Sequence, residues 1–228
     1  MSPSPKGKAV WTIVVAAGSG TRFGGKKQLE TIGNQTVLEH SVGHAREVSD
    51  AVVVVIPTDA VAGFNLGDCL LVTGGASRSE SVRRGLDCVP ENVDYVLVHD
   101  AARPLASSQL FRAVIGALER GEKAVVPLIP VVDSLKRLNP GNGVTSISRD
   151  NVFVAQTPQG FACDVLRSAL TDGSVTTDDV GAVERIGVLI ASVPGETSNL
   201  KITSRADLDV ARILYLTQLD SQTQGKDS

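Results

Sequence analysis

The 228-residue sequence has few cysteines, no long apolar stretch and a small net charge, and each of these argues against a class of protein. Its three cysteines are isolated and lack CxxC spacing, which argues against a disulfide framework or a cysteine metal site and favours the reducing cytoplasm. No apolar stretch reaches the roughly 18 residues of a membrane span, and residues 1–8 lack the apolar region of a secretory signal. The formal net charge of −3 gives no indication of nucleic-acid or membrane binding. We therefore expect a cytoplasmic protein with neither of those partners.

Aromatic residues are also scarce, at 4% of the chain, whereas hydrophobic residues as a whole reach 42%. Valine and alanine are abundant, and a core rich in β-branched side chains is typical of buried parallel strands. A length of 228 residues suits one sizeable domain or two small ones. We interpret residues 1–228 as a single domain.

Short apolar runs that alternate with helical patterns predict an α/β fold. Strands are predicted at 10–16, 51–56, 70–73, 95–98 and 124–129. Helices are predicted at 36–48, from a capping box at Ser77 to about residue 89, and from Ser107 or Ser108 to about residue 120. Such alternation implies a mostly parallel, twisted sheet with helices on both faces, and ligands bind beyond the carboxyl ends of its strands. Segments 17–27, 74–81 and 99–104 each follow a predicted strand, so we expect them to meet in one crevice.

The segment 131–157 departs from this alternation. Two short runs, 134–138 and 144–147, flank Asn139-Pro-Gly-Asn-Gly143, whose turn residues predict a β-hairpin. A two-stranded ribbon alone is marginally stable in water. We therefore expect this β-arm, an insertion within the domain, to pack on something else, such as a second subunit.

The glycine-rich segment after the first predicted strand admits three interpretations. Gly18 and Gly20 begin the Rossmann GxGxxG pattern, but Phe23 occupies the position of the third glycine. A P-loop pattern also fits, but Lys27 stands where a serine or threonine should hold magnesium. The third interpretation is a longer loop whose backbone N–H groups wrap a triphosphate, while Arg22 and Lys27 add positive charge. The clustering of glycines around cations favours this last interpretation over a solvated turn.

Six short motifs resemble, in the correct order, those of the 2-C-methyl-D-erythritol 4-phosphate cytidylyltransferases. They are Ala16-Ala-Gly-Ser-Gly-Thr-Arg22 with Lys27-Gln28, Gly74-Gly75-Ala-Ser-Arg78-Ser-Glu-Ser81, Val98-His-Asp100-Ala-Ala-Arg103-Pro104, Gln156-Thr-Pro158-Gln159, Thr177-Asp178-Asp179 and Asn199-Leu-Lys201-Ile-Thr203. The resemblance extends over residues 10–216, and six ordered motifs are not expected by chance. It implies a Rossmann-like nucleotidyltransferase fold, in which segment 131–157 is a protruding β-hairpin that forms a homodimer.

The resemblance also implies roles for individual residues. Nucleotide binding is implied for Ala16, Ala17, Gly18, Ser19, Gly20, Thr21, Arg22, Lys27, Gly75, Ser81 and Ala101. Binding of the acceptor is implied for Asp100, Arg103, Ser134, Arg149, Thr177 and Lys201, with Ser134 and Arg149 reaching it from the other subunit. The implied catalytic set is Arg22, Lys27, Arg149 and Lys201, and Asp100 is implied to lie beside magnesium or another divalent cation.

The implied reaction joins CTP and 2-C-methyl-D-erythritol 4-phosphate, with release of pyrophosphate. An oxygen of the acceptor phosphate attacks the α-phosphorus of CTP in line. Because that phosphate is already anionic, no strong general base is needed, and catalysis depends on positioning and charge neutralisation. A site made of lysine, arginine and one aspartate agrees with this chemistry.

Two alternatives to this function stay open at this point. The D-ribitol 5-phosphate cytidylyltransferases share the glycine-rich loop and the Gln156-Thr-Pro158-Gln159 segment, but the motif from His99 to Pro104 favours the methylerythritol form. A non-catalytic nucleotide-binding homologue is disfavoured because the implied catalytic residues are retained together. The sequence also departs from the family pattern, with Lys26 in place of a proline, Ala76 where some members carry aspartate, and Gly181 in a predicted helix.

Several polar residues are interpreted as structural rather than chemical. His99 precedes Asp100 at a strand end, where a packed histidine is expected more often than a general base. His40 and His44 share a helix face without a third metal ligand. For Asp178 and its neighbour, helix capping is at least as well supported as metal binding.

Overall fold

The computed structural model describes residues 7–18, 20–58, 66–171 and 178–224, with side chains described up to residue 219. In chain order its strands are β1 (Val10–Val15), β2 (Thr31–Ile32), β3 (Gln35–Thr36), β4 (Ala51–Ile56), β5 (Leu70–Thr73), β6 (Tyr95–Asp100), β7 (Ala124–Pro130), β8 (Leu135–Leu138), β9 (Val144–Ile147), β10 (Phe153–Ala155), β11 (Gln159–Ala162) and β12 (Ala191–Pro194). Its α-helices are α1 (Val37–Arg46), α2 (Arg78–Leu86), α3 (Ser108–Glu119), α4 (Cys163–Ala169), α5 (Asp179–Arg185) and α6 (Arg205–Gln224), and a short 3₁₀ helix spans Lys27–Leu29.

The central sheet is mostly parallel, as predicted. Its parallel half has the order β5-β4-β1-β6, so β1 lies in the middle and pairs with β4 on one edge and with β6 on the other. The chain leaves β1 in one direction toward β4 and later returns to the opposite edge at β6. The order of the strands therefore reverses beside β1, and in open α/β sheets such a reversal leaves a crevice at the carboxyl ends.

The other half of the sheet contains antiparallel strands that the sequence did not indicate. β11 lies between β6 and β7 and is antiparallel to both. β10 pairs with the carboxyl end of β7, also antiparallel. Val125 of β7 pairs with both Gly160 and Ala191, so β12 lies along the opposite edge of β7, parallel to it.

Helices cover both faces of the sheet, and each face has its own apolar core. Val14 and Val54 belong to the core beneath α1 and α3, whereas Ile13 and Val55 belong to the core beneath α2 and α4. This alternation follows from the period of two along a strand, and it explains why β1 and β4 are apolar at successive positions. In the part of the chain that the structure describes, no helix has the length and apolar character that a membrane span requires.

Helix caps fix where the first two helices begin. Thr36 and Glu39 form a reciprocal capping box at the start of α1. At α2 the Ser77 hydroxyl accepts from the Glu80 backbone N–H, as predicted. The Glu80 carboxylate binds the backbone N–H of Ala76, one residue earlier than the capping box predicts. The glutamate therefore braces the loop that leads into α2.

The predicted β-hairpin is present, because β8 and β9 pair from Leu135 with Ile147 to Leu138 with Val144. Most side chains from 132 to 151 are exposed. Phe153–Ala155, at the end of the predicted arm, is instead a strand of the central sheet. The hairpin outside the sheet is thus shorter than the 131–157 segment, and a role in dimerisation stays a prediction.

Candidate active site

A cavity of about 530 Å³ opens at the carboxyl ends of β1 and β6, beside the start of α2. Many residues expected to bind the nucleotide or the acceptor line it, namely Ala16, Ala17, Gly18, Gly20, Thr21, Arg22, Lys27, Gly75, Ser81, Asp100, Ala101 and Lys201. Ser19 and Thr177 lie outside the described residues. The structure therefore brings the three predicted strand-end segments into one crevice and adds Lys201 from the far end of the chain.

The glycine-rich loop folds back on itself at Gly20. The carbonyl of Gly20 accepts backbone hydrogen bonds from Phe23 (2.9 Å) and Gly24 (3.0 Å). Gly20 has φ +66°, and a Cβ at this position would lie 2.0 Å from the carbonyl oxygen of Gly25. Only glycine fits this turn without rearrangement. Phe23 is buried in a cluster with α6, which accounts for the absence of a third Rossmann glycine there.

Lys27 lines the cavity and is held there by a segment near the other end of the chain. Its Nζ donates to the backbone oxygen of Ile202 at 2.6 Å. Burial, together with the nearby ammonium of Lys201, lowers the pKa of Lys27 below its ordinary value. The cavity thus concentrates positive charge before any ligand enters, and an anionic ligand relieves that repulsion.

The loop before α2 is held by hydrogen bonds to side chains of that helix. The Ser81 hydroxyl accepts from the Gly75 backbone N–H at 3.1 Å. Arg84 donates to the carbonyl of Gly74 at 2.9 Å and forms an ion pair with Glu80 at 2.6 Å. Arg84 therefore braces the wall of the cavity.

Asp100 is the centre of a charged cluster on the cavity floor. Its Oδ1 accepts from Nε and Nη2 of Arg78 at 3.1 and 3.0 Å, and its Oδ2 accepts from Nζ of Lys201 at 2.6 Å. Arg78 also donates from Nη1 to Asp179 at 2.7 Å. Burial alone would raise the pKa of Asp100, but the charges of Arg78 and Lys201 hold it well below its ordinary value. Asp100 is therefore a carboxylate at neutral pH.

A buried polar network behind Asp100 fixes the cavity floor. The Thr157 hydroxyl accepts from the Asp100 backbone N–H at 3.0 Å and lies 3.1 Å from Nδ1 of His99. His99 is fully buried, and burial lowers its pKa to about 3. A histidine that stays neutral and has no access to the cavity is not a general base, so its interpretation as a packed residue is confirmed.

Arg103 belongs to the same network and does not line the cavity. Its Nη1 donates to the backbone oxygen of Asn199 at 2.8 Å. The Asn199 side chain donates to the backbone oxygen of Thr157 at 3.0 Å. These contacts place the segment that carries Lys201 against β6. In this chain Arg103 therefore acts behind the site, and direct contact with the acceptor stays a prediction.

The two predicted site residues of the arm lie elsewhere. Ser134 and Arg149 are exposed and are not part of the cavity lining. Arg149 donates from Nη1 to the backbone oxygen of Val132, within the arm itself. One chain alone does not bring these two residues to the others of the predicted site.

The donor set of the cavity fits a divalent cation only when a triphosphate is present. Among the described lining residues, Asp100 alone has a carboxylate, and the described chain holds no group of three or more His, Cys, Asp or Glu side chains placed for a metal. Magnesium is commonly held by one or two carboxylates together with substrate phosphates. Both oxygens of Asp100 already accept from cations, so it becomes a ligand only if one of those contacts opens.

Sequence reasoning missed the role of Arg78, which it named only within a motif. The partners of Arg78 lie 22 and 101 residues away, so no local spacing indicates them. One signal was nevertheless present. Arg78 is the first residue of α2, and a cation is disfavoured at a helix N-terminus unless carboxylates compensate for it.

Comparisons with known proteins agree with this geometry. The family model described as 2-C-methyl-D-erythritol 4-phosphate cytidylyltransferase (IspD) matches residues 10–218. Curated relatives of that name from Frankia casuarinae and Rhodococcus jostii are 42% and 40% identical, and the matches cover 90% and 92% of this chain and 80% and 96% of the relatives. The crystal structure of the Thermus thermophilus protein of that name superposes with a TM-score of 0.78 at 32% identity, covering 89% of this chain and 97% of that one.

Proposed function

This chain belongs to the 2-C-methyl-D-erythritol 4-phosphate cytidylyltransferase family, and from that premise we propose how its cavity carries out the reaction. The protein is a CTP-dependent nucleotidyltransferase that joins CTP and 2-C-methyl-D-erythritol 4-phosphate. The products are 4-diphosphocytidyl-2-C-methyl-D-erythritol and pyrophosphate. The observation that carries the mechanism is the convergence of Arg22, Lys27, Arg78 and Lys201 on a cavity whose one described carboxylate is Asp100.

The nucleotide occupies the side of the cavity formed by the glycine-rich loop and the start of α2. Backbone N–H groups of the loop cradle the phosphates, and Arg22 with Lys27 neutralises them. Cytosine and ribose bind against the wall formed by Gly75 and Ser81. Lys27 is preorganised by its bond to Ile202, so charge that develops on the α-phosphoryl oxygens is stabilised without rearrangement of the protein.

The acceptor occupies the side formed by Asp100 and Lys201. Lys201 attracts the acceptor phosphate, and the Asp100 carboxylate accepts hydrogen bonds from hydroxyl groups of the polyol. A phosphate oxygen then forms a bond to the α-phosphorus while the bond from that phosphorus to the leaving pyrophosphate breaks. No proton has to leave the attacking oxygen, since it is already anionic.

Magnesium is proposed as the cofactor; it would be held by the triphosphate and, once one of the two contacts of that carboxylate opens, by Asp100. Its contribution is to neutralise charge on the phosphate oxygens and to orient them. Location in the cytoplasm is proposed from the cysteine pattern alone.

We further propose that the β-arm completes the acceptor site of a second copy of the chain. The arm and its base expose several large apolar side chains, including Val132, Leu138 and Phe153, which are 75%, 70% and 49% exposed. Exposed apolar patches of this kind are typical of interaction surfaces. In a symmetric dimer each arm contacts the other chain, so Arg149 of one chain reaches the cavity of the other.

Pyrophosphate release with CTP and magnesium tests the activity, with 2-C-methyl-D-erythritol 4-phosphate and D-ribitol 5-phosphate as alternative acceptors. Turnover with the first acceptor is expected. The ribitol alternative is not favoured by the comparisons, and turnover with ribitol phosphate alone would contradict the assigned acceptor. A folded protein that binds CTP and is silent with both acceptors would contradict the reaction itself.

Mixed dimers test the shared site. Lys27→Met damages the cavity of its own chain, whereas Arg149→Ala damages the cavity of the partner. Each variant alone is expected to be nearly inactive. After co-refolding, one site in a mixed dimer is intact, so activity should return to about a quarter of the wild-type value by random pairing of a two-site dimer. Absence of recovery in confirmed mixed dimers would place Arg149 outside the partner's site.

A further inference from the structure

We propose that Arg78 is a positioning residue for the acceptor side of the reaction, an inference that rests on the proposed function. Arg78 does not need to touch either substrate for this role. It fixes the carboxylate of Asp100 in one orientation and thereby determines the direction in which Asp100 accepts hydrogen bonds from the acceptor hydroxyls. The comparisons place the chain in its family without assigning any role to this side chain.

The geometry of Arg78 is that of a fork between two carboxylates. Two of its nitrogens, Nε and Nη2, donate to the same oxygen of Asp100 at 3.1 and 3.0 Å. Its Nη1 donates to Asp179 at 2.7 Å. A planar guanidinium can serve two carboxylates in fixed directions, whereas the single ammonium of a lysine cannot reproduce that geometry.

The arrangement leaves Asp100 with little rotational freedom. Arg78 holds Oδ1, Lys201 holds Oδ2, and the backbone N–H of Asp100 is held by Thr157. If Arg78 were absent, Oδ1 would lose both of its side-chain donors and the carboxylate could turn toward Lys201. A displacement of about 1 Å at a reacting group can reduce turnover by about a hundredfold.

Arg78 also connects the start of α2 with the start of α5. It begins α2, three residues after Gly75 of the nucleotide wall, and its other partner Asp179 begins α5. Asp179 is 1% exposed, so this ion pair anchors α5 in the interior. The segment immediately before α5 carries Thr177, which lies outside the described residues. The same guanidinium therefore connects the nucleotide wall, the Asp100 floor and the helix that follows the predicted acceptor segment.

The main alternative is that Arg78 only stabilises the fold and does not orient Asp100 for the reaction. Asp179 is a buried carboxylate, and loss of its counter-ion alone would destabilise the fold whatever happens at Asp100. The two explanations differ once the Asp179 charge is removed as well. A double variant Arg78→Met/Asp179→Asn has no unpaired carboxylate at residue 179, whereas Asp179→Asn alone keeps Arg78 on Asp100 and is the matched control.

The test measures acceptor kinetics and CTP binding for wild type, the control and the double variant. Relative to Asp179→Asn, the double variant is expected to lose about tenfold or more in kcat/KM for the acceptor, as for other residues that orient a functional group. Its Kd for CTP, from equilibrium dialysis without acceptor and without magnesium, is expected to change by no more than about twofold, because Arg78 acts on the acceptor side. Thermal unfolding confirms that both proteins are folded.

The outcomes separate the possibilities. Acceptor kcat/KM equal to that of the control, or an equal loss in CTP binding and acceptor kinetics, would overturn the positioning role. If the double variant does not fold, Arg78→Lys replaces it, since it keeps the positive charge and loses the fork; an unchanged acceptor KM and kcat in that variant would overturn the inference. Absence of turnover in wild type would contradict the proposed function instead.

Discussion

Protonation of His99 should govern part of the pH dependence of stability. His99 has no access to solvent, and its two ring nitrogens lie against the Arg103 backbone oxygen (3.2 Å) and the Thr157 hydroxyl (3.1 Å). Burial lowers its pKa from 6.5 to about 3 in the folded protein. Since the unfolded chain binds a proton near pH 6.5 and the folded chain does not, His99 stabilises the fold fully above that pH. This stabilisation is lost as the pH falls from about 6.5 to about 3.

The size of the effect at pH 5 depends almost entirely on the unfolded chain. At that pH the folded histidine is still neutral, while the unfolded histidine is protonated in nearly every molecule. The linkage relation then gives a loss of about 2 kcal/mol in the free energy of unfolding between pH 8 and pH 5. Choosing pH 5 keeps the experiment above the range in which most carboxylates titrate.

Urea unfolding at pH 8 and pH 5, for wild type and His99→Gln, measures this term. Any constant cost of the substitution cancels, because each protein is compared with itself at two pH values. The wild-type loss should exceed the loss in His99→Gln by about 2 kcal/mol. Equal losses in the two proteins would refute the reasoning. If the variant does not fold, an NMR titration of wild type should show His99 neutral at pH 5, and a protonated ring there would refute it equally.

Three further predictions concern the nucleotide side of the cavity. Lys27→Met should lower kcat/KM by about 10²–10³-fold, the usual effect of removing one preorganised charge donor, and a near-normal value in steady-state assays would remove Lys27 from the mechanism. Gly20→Ala should abolish measurable CTP binding in calorimetry, because the new Cβ would lie 2.0 Å from the Gly25 carbonyl oxygen; Gly25→Ala, in the same loop but outside the cavity lining and with nothing within 4 Å of a Cβ, is the matched control for the backbone change. Arg84→Met should raise the KM for CTP several-fold (about 1 kcal/mol for one lost hydrogen bond) with little change in kcat, whereas the exposed neighbour Arg83→Met should leave both constants unchanged.

The parallel half of the fold could be predicted because its signals are local. β4 is a continuous apolar run, β1 is apolar except at Thr12, and the turn at Asn139-Pro-Gly-Asn-Gly143 specifies a hairpin without reference to the rest of the chain. β11 could not be found in this way. Its sequence Gln-Gly-Phe-Ala has no β-branched residue, and Gly160 is required because a Cβ would lie 2.4 Å from the Val114 side chain of α3. Tertiary packing, rather than intrinsic propensity, makes that segment a strand.

In the candidate site, too, some features could be predicted from the sequence and others could not. Residues within ordered motifs, such as Arg22, Lys27 and Asp100, could be named from the sequence, and the structure places them around one cavity. The motifs did not show that Arg78 holds Asp100, nor that Arg84 braces the cavity wall at Gly74. Those contacts depend on the distance in the folded protein between strand ends and helix N-termini. The spacing of residues along the sequence does not give that distance.

The bond between Lys27 and Ile202 has a consequence for how the protein is made. It joins positions 175 residues apart, and the contact between Lys201 and Asp100 spans 101. β1, β4, β5 and β6 are complete by residue 100, whereas the segment 199–203 emerges from the ribosome on the order of ten seconds later at typical rates of synthesis. During that interval the growing chain can assemble the parallel strands but has no ammonium beside Asp100 and no anchor for Lys27. A nascent chain released before residue 201 would therefore carry the glycine-rich loop but lack Lys201 and the contact that anchors Lys27, so the proposed catalytic arrangement forms only when the last part of the chain has been translated.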